Sequence, residues 1–386
     1  MNPRLDLLQP YAFEKLKWLL TGVQPPAGLT PINLGVGEPQ HPTPAVIKDA
    51  ITANLHLLGK YPPTQGTPEI RQAISAWIGR RYGIAPPDPE SEVLPVAGSR
   101  EALFAFAQAV LDPADPGVVL LPNPFYMIYE GAAIMAGAEP FYVPAPREKR
   151  FLPDWSSVPA HVWPRVRLVY ACSPGNPAGA VMGIEDWQEL FALADRYGFV
   201  IAADECYSEI YGDTPPTGAL EAAARLGFRG KVVSFNSLSK RSSAPGLRSG
   251  FVAGDAETLK RFLAYRTYHG AGSSLLIQIA SLAAWSDEAH VEENRSKYRA
   301  KFESASRLLP DVKIPEGGFF LWLPVDDDEA FTKRALSEAA LTVLPGRYLG
   351  RDVCGKNPGA GYVRVALVSE PPVCEEALDR LSKISC

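Results

Sequence analysis

The chain is poor in the residues that build small cross-linked or metal-held scaffolds. Its five cysteines, Cys172, Cys206, Cys354, Cys374 and Cys386, are scattered over 386 residues. They are odd in number and form no CxxC pair, which argues against a disulfide framework and a structural zinc site. Cys172 and Cys206 stand where strands are expected to end and could line a site, but none of the five is assigned a catalytic role. The five histidines, among them His41, His56 and His269, lack metal-ligand spacing, so no metal is expected.

Charge of one sign is also lacking. Thirty-eight Lys and Arg against 43 Asp and Glu leave a formal net charge of -5, no footprint for nucleic acid or an anionic membrane. No run approaches the roughly 18 apolar residues of a membrane span, and the opening lacks the basic-then-apolar pattern of a secretory signal. The expectation is a cytoplasmic protein without nucleic-acid or membrane partners. No internal repeat, low-complexity segment or G-x-G-x-x-G fingerprint stands out.

What is present is length and alternation. A chain of 386 residues suggests two or three domain-sized units. Apolar positions 13, 16, 19 and 20 mark a short amphipathic helix closed by Gly22, Pro25 and Pro26. From residue 92 strands alternate with helices: strand 92–96, helix 101–111, strand 118–121, strand 167–171, helix 185–196, strand 199–203, then the run Val232 to Phe235 and strand 249–254. Long helices follow to about residue 307. This order predicts an α/β fold with a doubly wound, mainly parallel sheet, whose ligands sit at the C-terminal ends of strands. A second, smaller domain is expected from about Ser286.

Three stretches carry chemistry. Lys240 leaves a buried strand among Ser237, Ser239, Ser242 and Ser243, with Arg248 eight positions on, which suits an amine bonded to a phosphorylated aldehyde. Such a lysine must have its pKa depressed by desolvation or a nearby cation to act as a nucleophile. Gly98-Ser99-Arg100 opens a helix, and the free N–H groups there offer a seat for a phosphate, with Ser99 and Arg100 donating. Gly37, where a short strand breaks into glycines, would let a ligand carboxylate approach the backbone.

Together with Tyr61-Pro62-Pro63-Thr64, Pro122-Asn123-Pro124-Phe125-Tyr126, Ser173-Pro174-Gly175-Asn176-Pro177 and Asp204-Glu205-Cys206-Tyr207, the Lys240 region resembles the pyridoxal-phosphate (PLP) aminotransferases of the aspartate aminotransferase superfamily (fold type I, class I/II) along nearly the whole chain. The resemblance implies a large domain with a seven-stranded, mainly parallel sheet sandwiched by helices, and a smaller α+β domain formed by both chain ends. The expected limits are 1–45 for an N-terminal arm and part of the small domain, 46–285 for the large PLP-binding domain, and 286–386 for the C-terminal small domain. It implies a homodimer in which Tyr61 reaches the cofactor phosphate of the partner subunit. Lys240, Asp204 and Tyr207 would be catalytic. Asp204 would face the protonated pyridine nitrogen, and Asn176 and Tyr207 the phenolic oxygen. Tyr126, with Phe125 in reserve, would stack on the ring. Ser99, Arg100, Ser237 and Arg248 would hold the phosphate, and Arg364, with Gly37 and Asn176, the substrate's α-carboxylate. Ala178 stands where many relatives carry threonine.

Within that superfamily the opening Asn2 to Tyr11, the 61–64 loop and the run 237–254 are similar to bacterial N-succinyldiaminopimelate aminotransferases. That implies dicarboxylate substrates, glutamate with an N-succinyl-amino-keto-pimelate. Arg4 and Lys60 are weak candidates for the remote carboxylates. An aspartate or aromatic aminotransferase is the nearest alternative. A ligand-sensing module of the same fold would need an attached DNA-binding segment, for which the first thirty residues are too short.

Overall fold

The computed structural model describes residues 1–270 and 272–384; Cys386 lies outside the described residues. A 3-10 turn at Pro3–Leu7 leads into α1 (Ala12–Leu19), β1 (Ile32–Asn33), α2 (Ala45–Ala53) and α3 (Pro68–Tyr82). The alternating region then runs β2 (Val93–Val96), α4 (Ser99–Val110), β3 (Val118–Asn123), α5 (Ile128–Ala136), β4 (Glu139–Pro144), β5 (Val166–Cys172) and α6 (Ile184–Tyr197). It continues with β6 (Val200–Asp204), α7 (Ala219–Leu226), β7 (Val232–Ser237), the single-turn α8 (Leu238–Arg241) and β8 (Gly250–Gly254). Three helices follow, α9 (Ala256–His269), α10 (Leu275–Ser286) and α11 (Ala289–Leu308). The last part holds β9 (Phe320–Pro324), α12 (Asp328–Ala339), β10 (Leu341–Thr342), β11 (Leu344–Pro345), β12 (Tyr362–Ala366) and α13 (Pro371–Ser382).

Seven strands form one sheet in the order β2-β8-β7-β6-β5-β3-β4. The five from β7 to β4 are parallel, while β8 runs antiparallel to both β7 and β2. Side chains alternate across the sheet as the period of a strand requires. Val119 and Leu121 pack with Phe106 and Tyr129 on one face, Val118 and Leu120 with Trp155 and Trp187 on the other. Both faces are therefore apolar, so the strand sequences read as near-continuous hydrophobic runs.

A second, antiparallel sheet has the order β11-β12-β9, and β1 pairs in parallel with β10. Its core joins Ile32 and Leu34 to Phe319, Leu321, Val363 and Leu378, so a stretch near the N-terminus is built into the C-terminal layer. Packing partners change at Ser286: α10 lies on α2 and α3, whereas α11 lies on α13.

Two structural details go beyond the sequence expectation. Lys240 sits on a helical turn whose N-cap is Ser237, its hydroxyl accepting from Ser239 N. The sequence reading did not single out α5, β4 or α7. Buried positions wrap most of α5, leaving no amphipathic stripe to detect, and α7 is short and alanine-rich.

Candidate active site

Strand direction brings the site together. β5, β6 and β7 end side by side, with Cys172 in register with Asp204 and Asp204 with Phe235. Because β8 is antiparallel, it begins at that same sheet edge and delivers Arg248 there; β2, antiparallel to β8, ends there and delivers Gly98 and Ser99. Gly37, Ser99, Arg100, Tyr126, Asn176, Asp204, Tyr207, Ser237, Lys240, Arg248 and Arg364 all line one cavity of about 530 Å³. Tyr61 does not: its side chain is 99% exposed, out in solvent.

Lys240 Nζ donates to the carbonyl of Gly37 at 2.9 Å. Burial pulls its pKa down to about 8; the positive charges of Arg364 and Arg248 act in the same direction, against Cys206 and Glu38. Asp204 is 4% exposed. It accepts from the Tyr129 hydroxyl at 2.6 Å and from Cys206 N at 3.3 Å. Burial raises its pKa, and hydrogen bonds from Cys206 and Tyr129 and the charge of Lys240 oppose that rise. Among the described residues no cation lies within ion-pair distance of it, although a buried carboxylate is costly without one. The cavity thus presents a negative group that lacks its counter-charge.

At the opposite side the chemistry is that of an anion seat. Gly98, with φ +90°, caps the twelve-residue α4, and a Cβ there would overlap the guanidinium of Arg248. Ser99, Ser237, Ser239 and Arg248 face the same space. Arg248 takes a left-handed backbone and donates to Pro245 O at 2.8 Å, and it has no carboxylate partner among the described residues. A helix N-terminus, hydroxyls and an unpaired guanidinium fit a phosphate. With Lys240 and Asp204 they fit PLP: aldehyde, ring nitrogen and phosphate each find a group of the required kind.

Arg364 lies on β12, the middle strand of its sheet. It donates to Asn176 Oδ1 and to Gly35 O, each at 2.8 Å. Its guanidinium sits 4.2 Å from the Phe320 ring centroid, and Nε is buried without a partner among the described residues. Burial lowers its pKa to about 10, which leaves it charged at neutral pH. A Cβ on Gly37 would come within 2.7 Å of Phe320, so glycine there keeps this ring against the guanidinium.

Other placements refine the sequence reading. Arg100 donates from Nε to the Tyr126 hydroxyl at 2.7 Å and from Nη2 to the Tyr11 hydroxyl at 3.3 Å, so its guanidinium is occupied on the cavity wall. Tyr126 lines the cavity, whereas Phe125 is buried beside Tyr142 and under Arg351. Tyr207 packs edge-on against Phe319 and Phe320. Cys172 and Cys206 both line the cavity, and Cys206 Sγ donates to Ser99 Oγ at 2.9 Å. Burial raises both thiol pKa values, which suits spacers rather than nucleophiles. Arg4 and Lys60 are exposed and line no part of the cavity. Sequence reasoning gave no site role to Tyr129, Tyr11 or Ser239. Tyr129 sits inside an apolar helix, and nothing local marks it as a partner for Asp204.

The family described as aminotransferase class I and II matches residues 30–381. The chain belongs to that family, and it is a PLP-dependent aminotransferase. Among curated relatives, the LL-diaminopimelate aminotransferase of Syntrophobacter fumaroxidans is 33% identical over 99% of this chain and 98% of its own. Among solved structures, an aminotransferase from Neisseria meningitidis Z2491 superposes with a TM-score of 0.96 at 51% identity, covering 99% of each chain. The aminotransferase AspB from Helicobacter pylori 26695 gives 0.91 at 38% identity, covering 97% of this chain and 98% of that one.

Proposed function

We propose that this chain transfers an amino group between N-succinyl-LL-2,6-diaminopimelate and 2-oxoglutarate, giving N-succinyl-2-amino-6-oxopimelate and glutamate, as a cytoplasmic homodimer. The observation that carries the reaction is the sharing of one cavity by Lys240, Asp204 and Arg364. They arrive from α8, β6 and β12.

Bound PLP supplies an aldehyde that bonds an amine and a protonated ring that draws electrons from the substrate's α-carbon. Asp204 would hold the proton on the ring nitrogen, and Tyr129, donating to it at 2.6 Å, would keep the carboxylate aimed. Arg364 and Asn176 bind the α-carboxylate, the guanidinium by a two-pronged hydrogen bond. Lys240 Nζ is the base at the α-carbon, where its fixed position makes proton transfer effectively intramolecular. Ser99, Ser237 and Arg248 would hold the phosphate, Asn176 and Tyr207 would donate to the phenolic oxygen, and Tyr126 would stack on the ring. Tyr61 would add a hydroxyl to the partner subunit's phosphate seat.

The substrate assignment rests on the similarity of segments 2–11, 61–64 and 237–254 to N-succinyldiaminopimelate aminotransferases. The curated relative named LL-diaminopimelate aminotransferase supports the carbon skeleton. It also favours a second reading, in which the unsuccinylated amino acid is the substrate. Turnover with 2-oxoglutarate separates the two: kcat/KM should be highest for the succinylated compound. A preference for free LL-diaminopimelate, or for aspartate, would sink the assignment while leaving transamination intact.

A further inference from the structure

Behind the cavity a lysine is buried without an acid. Lys301, on α11, is 1% exposed, and no carboxylate among the described residues pairs with it. Its Nζ donates to Leu367 O at 2.9 Å, lies 2.7 Å from His41 Nε2, and stands 4.4 Å from the centroid of the Tyr298 ring. An ammonium has hydrogens to give and no lone pair, so His41 Nε2 must be the acceptor. A neutral imidazole that accepts at Nε2 carries its proton on Nδ1. Nδ1 is 2.8 Å from Asn294 Oδ1. The Asn294 amide then points its nitrogen at the carbonyls of Lys240, 3.1 Å, and Arg241, 3.3 Å. Turning that amide over would set nitrogen against an N–H and oxygen against two oxygens. The network therefore has a single polarity, from Lys301 through His41 and Asn294 to the backbone of the reactive lysine.

The same histidine fastens a second strand of contacts. Its carbonyl accepts from Ser243 Oγ at 2.8 Å, and Thr43 Oγ1 donates to Ser243 O at 3.1 Å. Upstream in that stretch, Gly37 O receives Lys240 Nζ at 2.9 Å and Gly35 O receives Arg364 Nη2 at 2.8 Å. Lys240 and Arg364 thus both rest on carbonyls of residues 35–37, whose continuation His41 ties to the turn carrying Lys240. We propose that His41, in its Nδ1–H tautomer between Lys301 and Asn294, is a positioning residue that holds the Gly37 carbonyl and the Lys240 backbone in register. The proposal rests on Lys240 being the reactive amine. Burial keeps the imidazole neutral, its pKa lowered to about 4, and burial lowers Lys301 to about 8, so the ammonium that fixes the tautomer is present below about pH 8.

The tautomer is tested by nitrogen-15 NMR of the protein without PLP: a neutral His41 with an unprotonated Nε2 is expected, and a proton on Nε2 would overturn the polarity. The positioning role is tested with His41→Gln and His41→Phe in the PLP-loaded protein. Glutamine can accept from Lys301 and donate to Asn294, so it should keep kcat within about twofold and leave the pH midpoint of the visible band in place. Phenylalanine should lower kcat roughly tenfold or more, since a misplacement of about 1 Å can cost ~10²-fold, and should move that midpoint. Should His41→Phe not fold, Asn294→Ala cuts the same chain and is read the same way. Equal losses in both His41 variants, or an unchanged midpoint and kcat in the phenylalanine variant, would overturn the role. An unaltered protein that shows no visible band with PLP would overturn it together with the reading of Lys240, while the NMR result would still decide the hydrogen-bond polarity.

Discussion

Burial acts on Lys240 and Arg364 to different effect. Lys240 at about 8 has roughly a tenth of its amine free at pH 7, whereas Arg364 at about 10 stays charged. The free base is the nucleophile, so the rate at which the PLP-free protein condenses with an aldehyde should rise with pH and level off above about 8. Lysine-specific labelling read by mass spectrometry checks this, and a midpoint near that of an exposed lysine would contradict it. Lys240→Ala should abolish the visible band that PLP gives the unaltered protein. Arg364→Ala removes a charge-assisted bond worth ~1.5–3 kcal/mol, so KM for the amino donor should rise about tenfold to a hundredfold; unchanged kinetics would remove its carboxylate role. Tyr129→Phe deletes one hydrogen bond to Asp204, about 1 kcal/mol. PLP affinity should fall about fivefold, measured by absorbance titration.

At the scale of elements, the site depends on strand ends and the turns that follow them. The α4 terminus is open to a phosphate only because Gly98 has no side chain: alanine would meet Arg248 and would sit at φ +90°. Gly98→Ala should therefore weaken PLP binding about tenfold or more, since a strained backbone residue costs ~1–3 kcal/mol, with secondary structure by circular dichroism retained. Affinity equal to the unaltered protein would show that the turn has room. Strands 93–96, 118–123 and 200–204 are legible because both of their faces are buried and their residues are apolar up to the terminal Asn123 and Asp204. α5 has no polar face to betray its period, and it is α5 that carries Tyr129. Arg100 is visible as a helix-opening cation, but its engagement with Tyr11 and Tyr126 depends on where α1 and the loop after β3 come to lie.

For the whole molecule, Tyr61 and Tyr268 are almost fully exposed, and Leu55 and Leu58 lie open near Tyr61 in the chain. Exposed large apolar side chains in number mark an interaction surface, which suits a second copy of the chain. Light scattering should give twice the mass of the 41.8 kDa chain. If Tyr61 serves the partner subunit's site, Tyr61→Phe should weaken PLP binding about fivefold, one hydrogen bond's worth. Mixing Tyr61→Phe with Lys240→Ala subunits should yield hybrids with one site of unaltered affinity and one dead site. A hybrid without that restored site would place Tyr61 elsewhere.

Residue chemistry drew attention to Lys240, Asp204 and Arg364, because a lysine leaving a buried strand, a carboxylate at a strand end and an arginine inside a strand are anomalies of burial that need no neighbour to be noticed; Asn176, and the roles expected of Asp204 and Arg364, came from the family resemblance. Which partners they meet was beyond it. Tyr129 donates to Asp204 across 75 positions, Gly35 receives Arg364 across 329, and His41 joins Lys301 across 260. Such pairings follow from strand order, strand direction and the folding back of the N-terminal stretch onto the C-terminal sheet, and contacts of that span leave no periodic trace in the chain.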